Sequence, residues 1–145
     1  QTCALPIFLM SSEDERNRMV RIDPIARVRA VAAKADLRLI GIGQMDQKAQ
    51  VHVDGFVTRE ELLEMMRLGA VGEVTGWAYD AKGRLIKGGT NKRLTSIPPQ
   101  IPAVSTTIAA AVGVAKVPSI KAALAGRVIN GLITDEATAR AVLDR

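Results

Sequence analysis

"VSTTIAAAVGVAKVPSIKAALAGRVINGLITDEATARAVL", residues 104–143, changes local grammar repeatedly within one continuous run. "VSTTIAAAVG" leans to strand and stops at Gly113. "VPSIKAALAG" reads as helix, with Pro118 in the first turn, where a missing N–H is harmless, and Gly126 at its end. "RVINGLIT" is again an apolar strand, and "DEATARAVL" is a last helix with acidic residues in its positive first turn. Strand and helix alternating in this rhythm imply βαβ units and a parallel sheet, so the expected class is α/β.

The same grammar extends toward the N-terminus. "DPIARVRAVAAKA" (23–35) reads as a helix with Asp23 as N-cap, Pro24 at the first helical position, and Ile25, Val28 and Ala32 on one face beside Val31. "DLRLIGIG" (36–43) has the pattern of a buried strand breaking into glycines. "VTREELLEMMRLG" (57–69) carries a full set of helix signals: Thr58 as N-cap, Glu61 as its capping-box partner, Val57 and Leu62 at the staple positions, and Gly69 as the stop. "AVGEVTGWAYD" and "GRLIKG" read as two extended segments joined through "DAKG", where Gly83 can take positive φ.

Composition narrows the possibilities further. With 48% hydrophobic and 24% charged residues, the chain has the balance of one globular domain, and 3% aromatic content makes its core aliphatic. The net charge of +5 comes from basic residues interleaved with acidic ones, and few aromatics are available to stack on bases. That disfavours direct nucleic-acid binding and suits a phosphorylated small molecule. No apolar run approaches a bilayer-spanning length, so a soluble protein with no membrane partner is expected. "QTCALPI" (1–7) lacks an initiator Met and looks like translated sequencing adapter. Residues 1–8 are therefore read as a non-native leader and 9–145 as the domain. The single cysteine, Cys3, falls in that leader, so disulfides are excluded from the remainder and a cytoplasmic setting fits.

In an open parallel sheet, ligands lie at the carboxyl ends of the strands, where the loops share an edge. Three such loops are expected here: "GIGQMD", "VGVAK" and "TDE". Gly41, Gly43 and Gly113 would let backbone approach a ligand, or would merely turn the chain. Lys116 stands at a helix entrance, where the dipole is already positive; either it shares an anion with that helix end or it bends into solvent. Asp135 can be explained as an N-cap. Glu73 lies in an apolar extended stretch, so it is edge-exposed or paired, and sugar hydroxyls are suitable partners. His52, alternating with Val51 and Val53, is expected at the surface of a short extended segment. No Ser-His-Asp grouping, metal-ligand cluster or Walker-type loop is present, so no metal or cofactor is expected. "GGTNKRLTSIPP" (88–99) is either an anion-gripping loop or a solvated connection.

Taken together and in order, "GIGQMD", "GFVTREELLEMMRLGAVGEVTGWAYDAKGRLI", "NKRLTSIP", "AAAVGVAKVPSIKAALAG" and "VINGLITDEATARAVL" resemble the C-terminal half of the effector domain of SorC-family (DeoR-like) sugar-binding transcriptional regulators. The resemblance implies a Rossmann-like parallel sheet flanked by helices, incomplete here, similar to the glucosamine-6-phosphate deaminase and ribose-5-phosphate isomerase fold. It implies a sugar, polyol or sugar-phosphate effector, no enzymatic activity, and operator DNA as a partner only through a missing N-terminal helix-turn-helix domain. Homo-oligomers, dimers or tetramers, are the family habit. It places Glu73 where an acid contacts sugar hydroxyls, Lys116 where a lysine contacts the phosphate, and Gly41, Gly43 and Gln44 in a pocket loop. Arg93 matches an arginine position bordering the pocket or a subunit contact, and Asp135 the final strand-to-helix turn. Two departures stand out. Gly113, Val114 and Ala115 replace the paired glycines that usually precede the lysine, and the upstream Gly-rich phosphate loop has no counterpart. The alternative on the same fold is an isomerase- or deaminase-like enzyme.

Overall fold

The computed structural model describes residues 9–144; the expected leader, 1–8, lies outside them. The chain begins with α1 (Glu13–Met19) and α2 (Asp23–Ala33). The first of these was not anticipated from its polar sequence. Ser12 caps it by accepting from the Glu15 N–H, and three acidic residues occupy its first turn, where the helix dipole favours them. In α2 the expected cap is corrected: Ile22 holds the N-cap position, Asp23 lies inside the helix and pairs with Arg27 across one turn.

Next come β1 (Leu37–Gly41), β2 (Gly43–Gln44), α3 (Gln50–Val53), α4 (Arg59–Arg67), β3 (Ala70–Val74), β4 (Trp77–Asp80), β5 (Thr106–Ala110), α5 (Val117–Ala125), β6 (Gly131–Ile133) and α6 (Glu136–Leu143). Strands β1, β5 and β6 form a parallel sheet in the order β1-β5-β6, with Gly41 level with Ala110 and Ala110 level with Ile133. The α/β class is therefore as expected. A second sheet, β2-β3-β4, is antiparallel.

The capping box at Thr58 and Glu61 forms in both directions, and Leu62 is buried as the staple requires. Such a cap is worth about 1 kcal/mol. Residues 70–80 are not one extended segment but a hairpin: Thr75 (φ 50) and Gly76 (φ 88) turn the chain between β3 and β4. Two successive positive φ values match the twist of paired strands, which a flat extended run would not allow. His52 also departs from expectation, since it lies on the short helix α3 rather than on an extended segment, with Nδ1 3.0 Å from the Val57 carbonyl.

Two apolar cores flank the antiparallel sheet. One packs Ile42, Val74 and Tyr79 with Ala109, Ile120 and Val128; the other packs Met45, Leu62, Met65 and Ala78. Strand β1 is buried on one side only. Ile40 faces the first core, while Leu37 and Leu39 are 53% and 69% exposed on the opposite face. The continuous apolar run thus reflects a sheet edge with one open face among the described residues.

Residues 88–99 resolve into a clamp. Gly88 and Gly89 take positive φ (108 and 52) and lead into a 3-10 turn over Gly89–Arg93. Buried Asn91 accepts from the Ala78 N–H and donates to the carbonyls of Ala78 and Ile86, each at 2.9 Å. One amide side chain therefore fastens β4 to the strand-like segment after it.

Candidate functional site

The loops that leave β1, β5 and β6 come together as the topology requires. The Ala111 N–H donates to the Ile133 carbonyl, and the 3-10 turn Val114–Lys116 packs against both β2 and α6. The Gly113 N–H donates to Thr138 Oγ1 at 2.9 Å, tying the turn that carries Lys116 to the first turn of α6. At Gly41 and Gly113 a Cβ would meet only open space. Gly113 has φ 117, so its backbone also demands glycine.

Glu73 stands at the centre of this group. Its Oε2 accepts from the Gly76 N–H at 2.7 Å, a contact made possible by the Thr75–Gly76 turn. Its backbone lies level with Gly43, and a Cβ at Gly43 would collide with the Glu73 carboxylate. Burial raises the Glu73 pKa above the ordinary carboxylate range, opposed by the Gly76 N–H, by the positive charge of Lys116 and by the Gly43 N–H. Lys116 is thus close enough to act on Glu73 through space, and it is half-buried at the entrance to α5. Each carboxylate oxygen retains a lone pair for a ligand hydroxyl. Glu73 thus offers a hydroxyl acceptor with the positive charge of Lys116 in electrostatic reach.

Gln44 is half-buried on β2 opposite Gly72, so the expected loop 41–44 is in part a strand that sets Gly43 against Glu73. Asp135 caps α6: Oδ1 accepts from the Thr138 N–H at 2.6 Å, and that hydrogen bond is the chief cause of its lowered pKa. Arg93 is engaged elsewhere. Its guanidinium pairs with Glu61, the capping-box residue of α4, and donates to the Met10 carbonyl at 2.8 Å. Among the described residues no group of acidic, His or Cys side chains could hold a metal ion.

Four residues at or under the site carried no assignment from sequence. Gly76 anchors Glu73 through its backbone N–H. Thr138 tethers Gly113. Tyr79, level with Gly72 on the neighbouring strand, is fully buried, with its hydroxyl donating to the Ser119 carbonyl at 3.1 Å; burial and then the Glu73 charge raise its pKa. Thr134 Oγ1 is buried without a hydrogen-bond partner among the described residues at the end of β6, in the turn next to Asp135.

The fold is that of an α/β domain, a parallel sheet joined to a smaller antiparallel one. Residues 2–144 match the family described as "Putative sugar-binding domain", and the chain belongs to that family. It is 32% identical over 139 residues to the erythritol catabolism regulatory protein EryD of Brucella abortus, covering 96% of this chain and 44% of that protein. It is 35% identical over 144 residues to the transcriptional regulator LsrR of Klebsiella pneumoniae, covering 96% and 45%. The chain therefore spans less than half the length of these curated relatives. Among solved structures, a DeoR family transcriptional regulator from Listeria monocytogenes superposes with a TM-score of 0.89 at 18% identity, covering 99% of this chain and 58% of that one. The full-length sorbitol operon regulator SorC from Klebsiella pneumoniae gives 0.82 at 25% identity, covering 94% and 45%. The family is that of sugar-binding domains found in transcriptional regulators.

Proposed function

We propose that this chain is the effector-sensing part of a bacterial transcriptional regulator and that it binds a sugar, polyol or sugar phosphate in the Glu73–Lys116 crevice. The observation that carries the reading is the placement of Glu73, which is anchored by Gly76, covered by Gly43 and within electrostatic reach of Lys116. In this reading Glu73 accepts ligand hydroxyls and Lys116 holds the anionic group. Gly41, Gly43 and Gln44 form one wall, and the Thr134–Asp135 turn the other. Arg93 supports the site through Glu61 rather than by touching the ligand. Relatives named as regulators of erythritol catabolism and of the sorbitol operon support a polyol or sugar as the ligand class.

Regulation follows if ligand has different affinity for two arrangements of the intact regulator, because only that difference shifts how operator DNA is held by a separate domain. A cytoplasmic homo-oligomer suits this role, and no helix among the described residues is long and apolar enough to cross a membrane. The binding test is calorimetry of the chain with a panel of sugars, polyols and their phosphates. Saturable binding that Lys116→Ala weakens selectively for the phosphorylated members is expected; a panel with no binder would refute the proposal. An isomerase or deaminase would need a second acid-base group facing Glu73, and the phenol of nearby Tyr79 is committed to Ser119. Turnover of any panel member would favour the enzyme instead.

A further inference from the structure

Glu73 and Gly76 line a cavity of ≈ 200 Å³ in the core packed by α4. Its other walls are mainly carbon and sulfur: Met45, Val51, Phe56, Leu62, Met65 and Leu94. Gln50 and Asp54 are at its margin, but they bond to one another at 2.6 Å. No Lys or Arg is among the lining residues. An anion placed here would face the carboxylates of Glu73 and Asp54 without a counter-charge, so any phosphate must lie on the Lys116 side.

The outer wall is preformed. Residues 49–57 close on themselves through the Phe56 N–H to the Val51 carbonyl at 2.9 Å and a left-handed turn at Gly55 (φ 78). Phe56 is 51% exposed at this wall, with Val51 and Val57 packed inward on the core. An apolar cavity of about 150 Å³ accepts a benzene-sized guest, so this one has room for a body of about six carbons. The hydrogen-bonding side chains inside it are Glu73 and the buried Thr90, against a wall otherwise mostly apolar. A hydroxyl buried against the thioethers and aliphatic groups would be left without a partner, which is costly.

We propose, building on the sugar-binding reading of the adjacent crevice, that this cavity receives a deoxygenated carbon segment next to the hydroxyl held by Glu73. The domain thereby prefers deoxy or C-methyl sugar phosphates to fully hydroxylated ones. Apolar pockets discriminate against an added hydroxyl by roughly tenfold to a hundredfold, and a preference in that range is expected.

The test uses the chain with its methionine methyl groups labelled with carbon-13. Met45 and Met65 report occupancy of the cavity directly, and calorimetry runs alongside. The probes are 2-deoxyribose 5-phosphate against ribose 5-phosphate, 2-deoxyglucose 6-phosphate against glucose 6-phosphate, and cyclopentanol as an uncharged occupant. Expected are shifts of the Met45 and Met65 signals with cyclopentanol and with the deoxy compounds, and tighter binding of at least one deoxy member than of its partner. Val51→Phe, which fills the cavity, should erase that preference, while Lys116→Ala weakens both members of a pair equally. The unaltered chain's methyl signals keep the test decisive should the Val51 variant not fold. Sugar phosphates that bind without moving those signals, or that bind equally well with and without the extra hydroxyl, overturn the cavity proposal and leave the crevice reading intact. Shifts with cyclopentanol but no binding of any sugar phosphate support the cavity as an apolar site and refute the sugar-phosphate reading.

Discussion

Gly43 and Glu73 lie opposite one another across β2 and β3, and the space where a Gly43 side chain would stand is filled by the Glu73 carboxylate. Gly43 is not needed for its backbone angles, since its φ is not in the left-handed region. It is needed for room. Gly43→Ala is therefore expected to displace the carboxylate from the Gly76 N–H, with an overpacking cost of about 1–3 kcal/mol. Thermal denaturation should show the lowered stability, and calorimetry a loss of ligand affinity of roughly tenfold or more, since tenfold corresponds to about 1.4 kcal/mol. Full affinity in this variant would remove Glu73 from the site.

Titration of Glu73 should push stability and ligand affinity in opposite directions. Burial raises its carboxyl pKa in the folded chain above the unfolded value. The stability tied to this group is then fully present below the unfolded value and is lost as pH rises through the folded one. Recognition of hydroxyls by the ionised form runs the other way. Acidification from neutral pH is expected to weaken binding at a pH where ordinary carboxylates are still charged, without loss of stability from this group. Glu73→Gln should flatten that pH profile and lower affinity by about 1–3 kcal/mol. Calorimetry across a pH series checks both, and constant affinity down to the ordinary carboxylate range would contradict the assignment.

The parts of this architecture that were readable in advance are those with local causes. The Thr58–Glu61 box and the Asp135 cap are satisfied within a few residues of themselves, so their spacing alone announces them. The turn at Thr75 was not readable in the same way. A β-branched residue at positive φ defies its own preference, and it is held there as part of the hairpin, with Ser96 donating to its carbonyl at 2.9 Å. Leu37 and Leu39 mislead for another reason, because an apolar run shows that a strand is hydrophobic but not which of its faces is covered. At the site, Glu73 was conspicuous as a carboxylate in an apolar stretch. Its anchor Gly76 and the tether Thr138 depend on contacts that only the folded chain creates.

Asn91 should be among the most sensitive positions in the fold. Its side chain pairs the buried Ala78 N–H and the Ile86 carbonyl, and adds a second hydrogen bond to the Ala78 carbonyl, which also accepts from the Ile86 N–H. Each of the two groups left unpaired costs about 1–3 kcal/mol, so Asn91→Ala is expected to destabilise by about 2–5 kcal/mol, toward the upper end for a single substitution. Asn91→Asp keeps the acceptor for Ala78 but loses both donors and should recover little. Urea denaturation measures both variants, and a loss below about 1 kcal/mol would show that solvent replaces the clamp.

Thr138 offers a way to separate the helix cap from the ligand loop. Its backbone N–H donates to Asp135, whereas its Oγ1 accepts from Gly113, three residues before Lys116. Thr138→Val keeps the backbone N–H that caps with Asp135, loses the hydroxyl's smaller contribution to that carboxylate, and leaves the Gly113 N–H unpaired, so the turn carrying Lys116 loses its tether. Asp135→Ala does the reverse, removing a cap worth about 1 kcal/mol while leaving the hydroxyl in place. The expected outcome is a crossed pattern. The Asp135 variant loses helix stability with ligand affinity nearly unchanged, and the Thr138 variant loses affinity for phosphorylated ligands beyond what its lowered stability explains. Paired calorimetry and thermal denaturation on the two variants read this directly. Equal effects on affinity would mean that Asp135 itself touches the ligand, with its second oxygen turned toward the crevice.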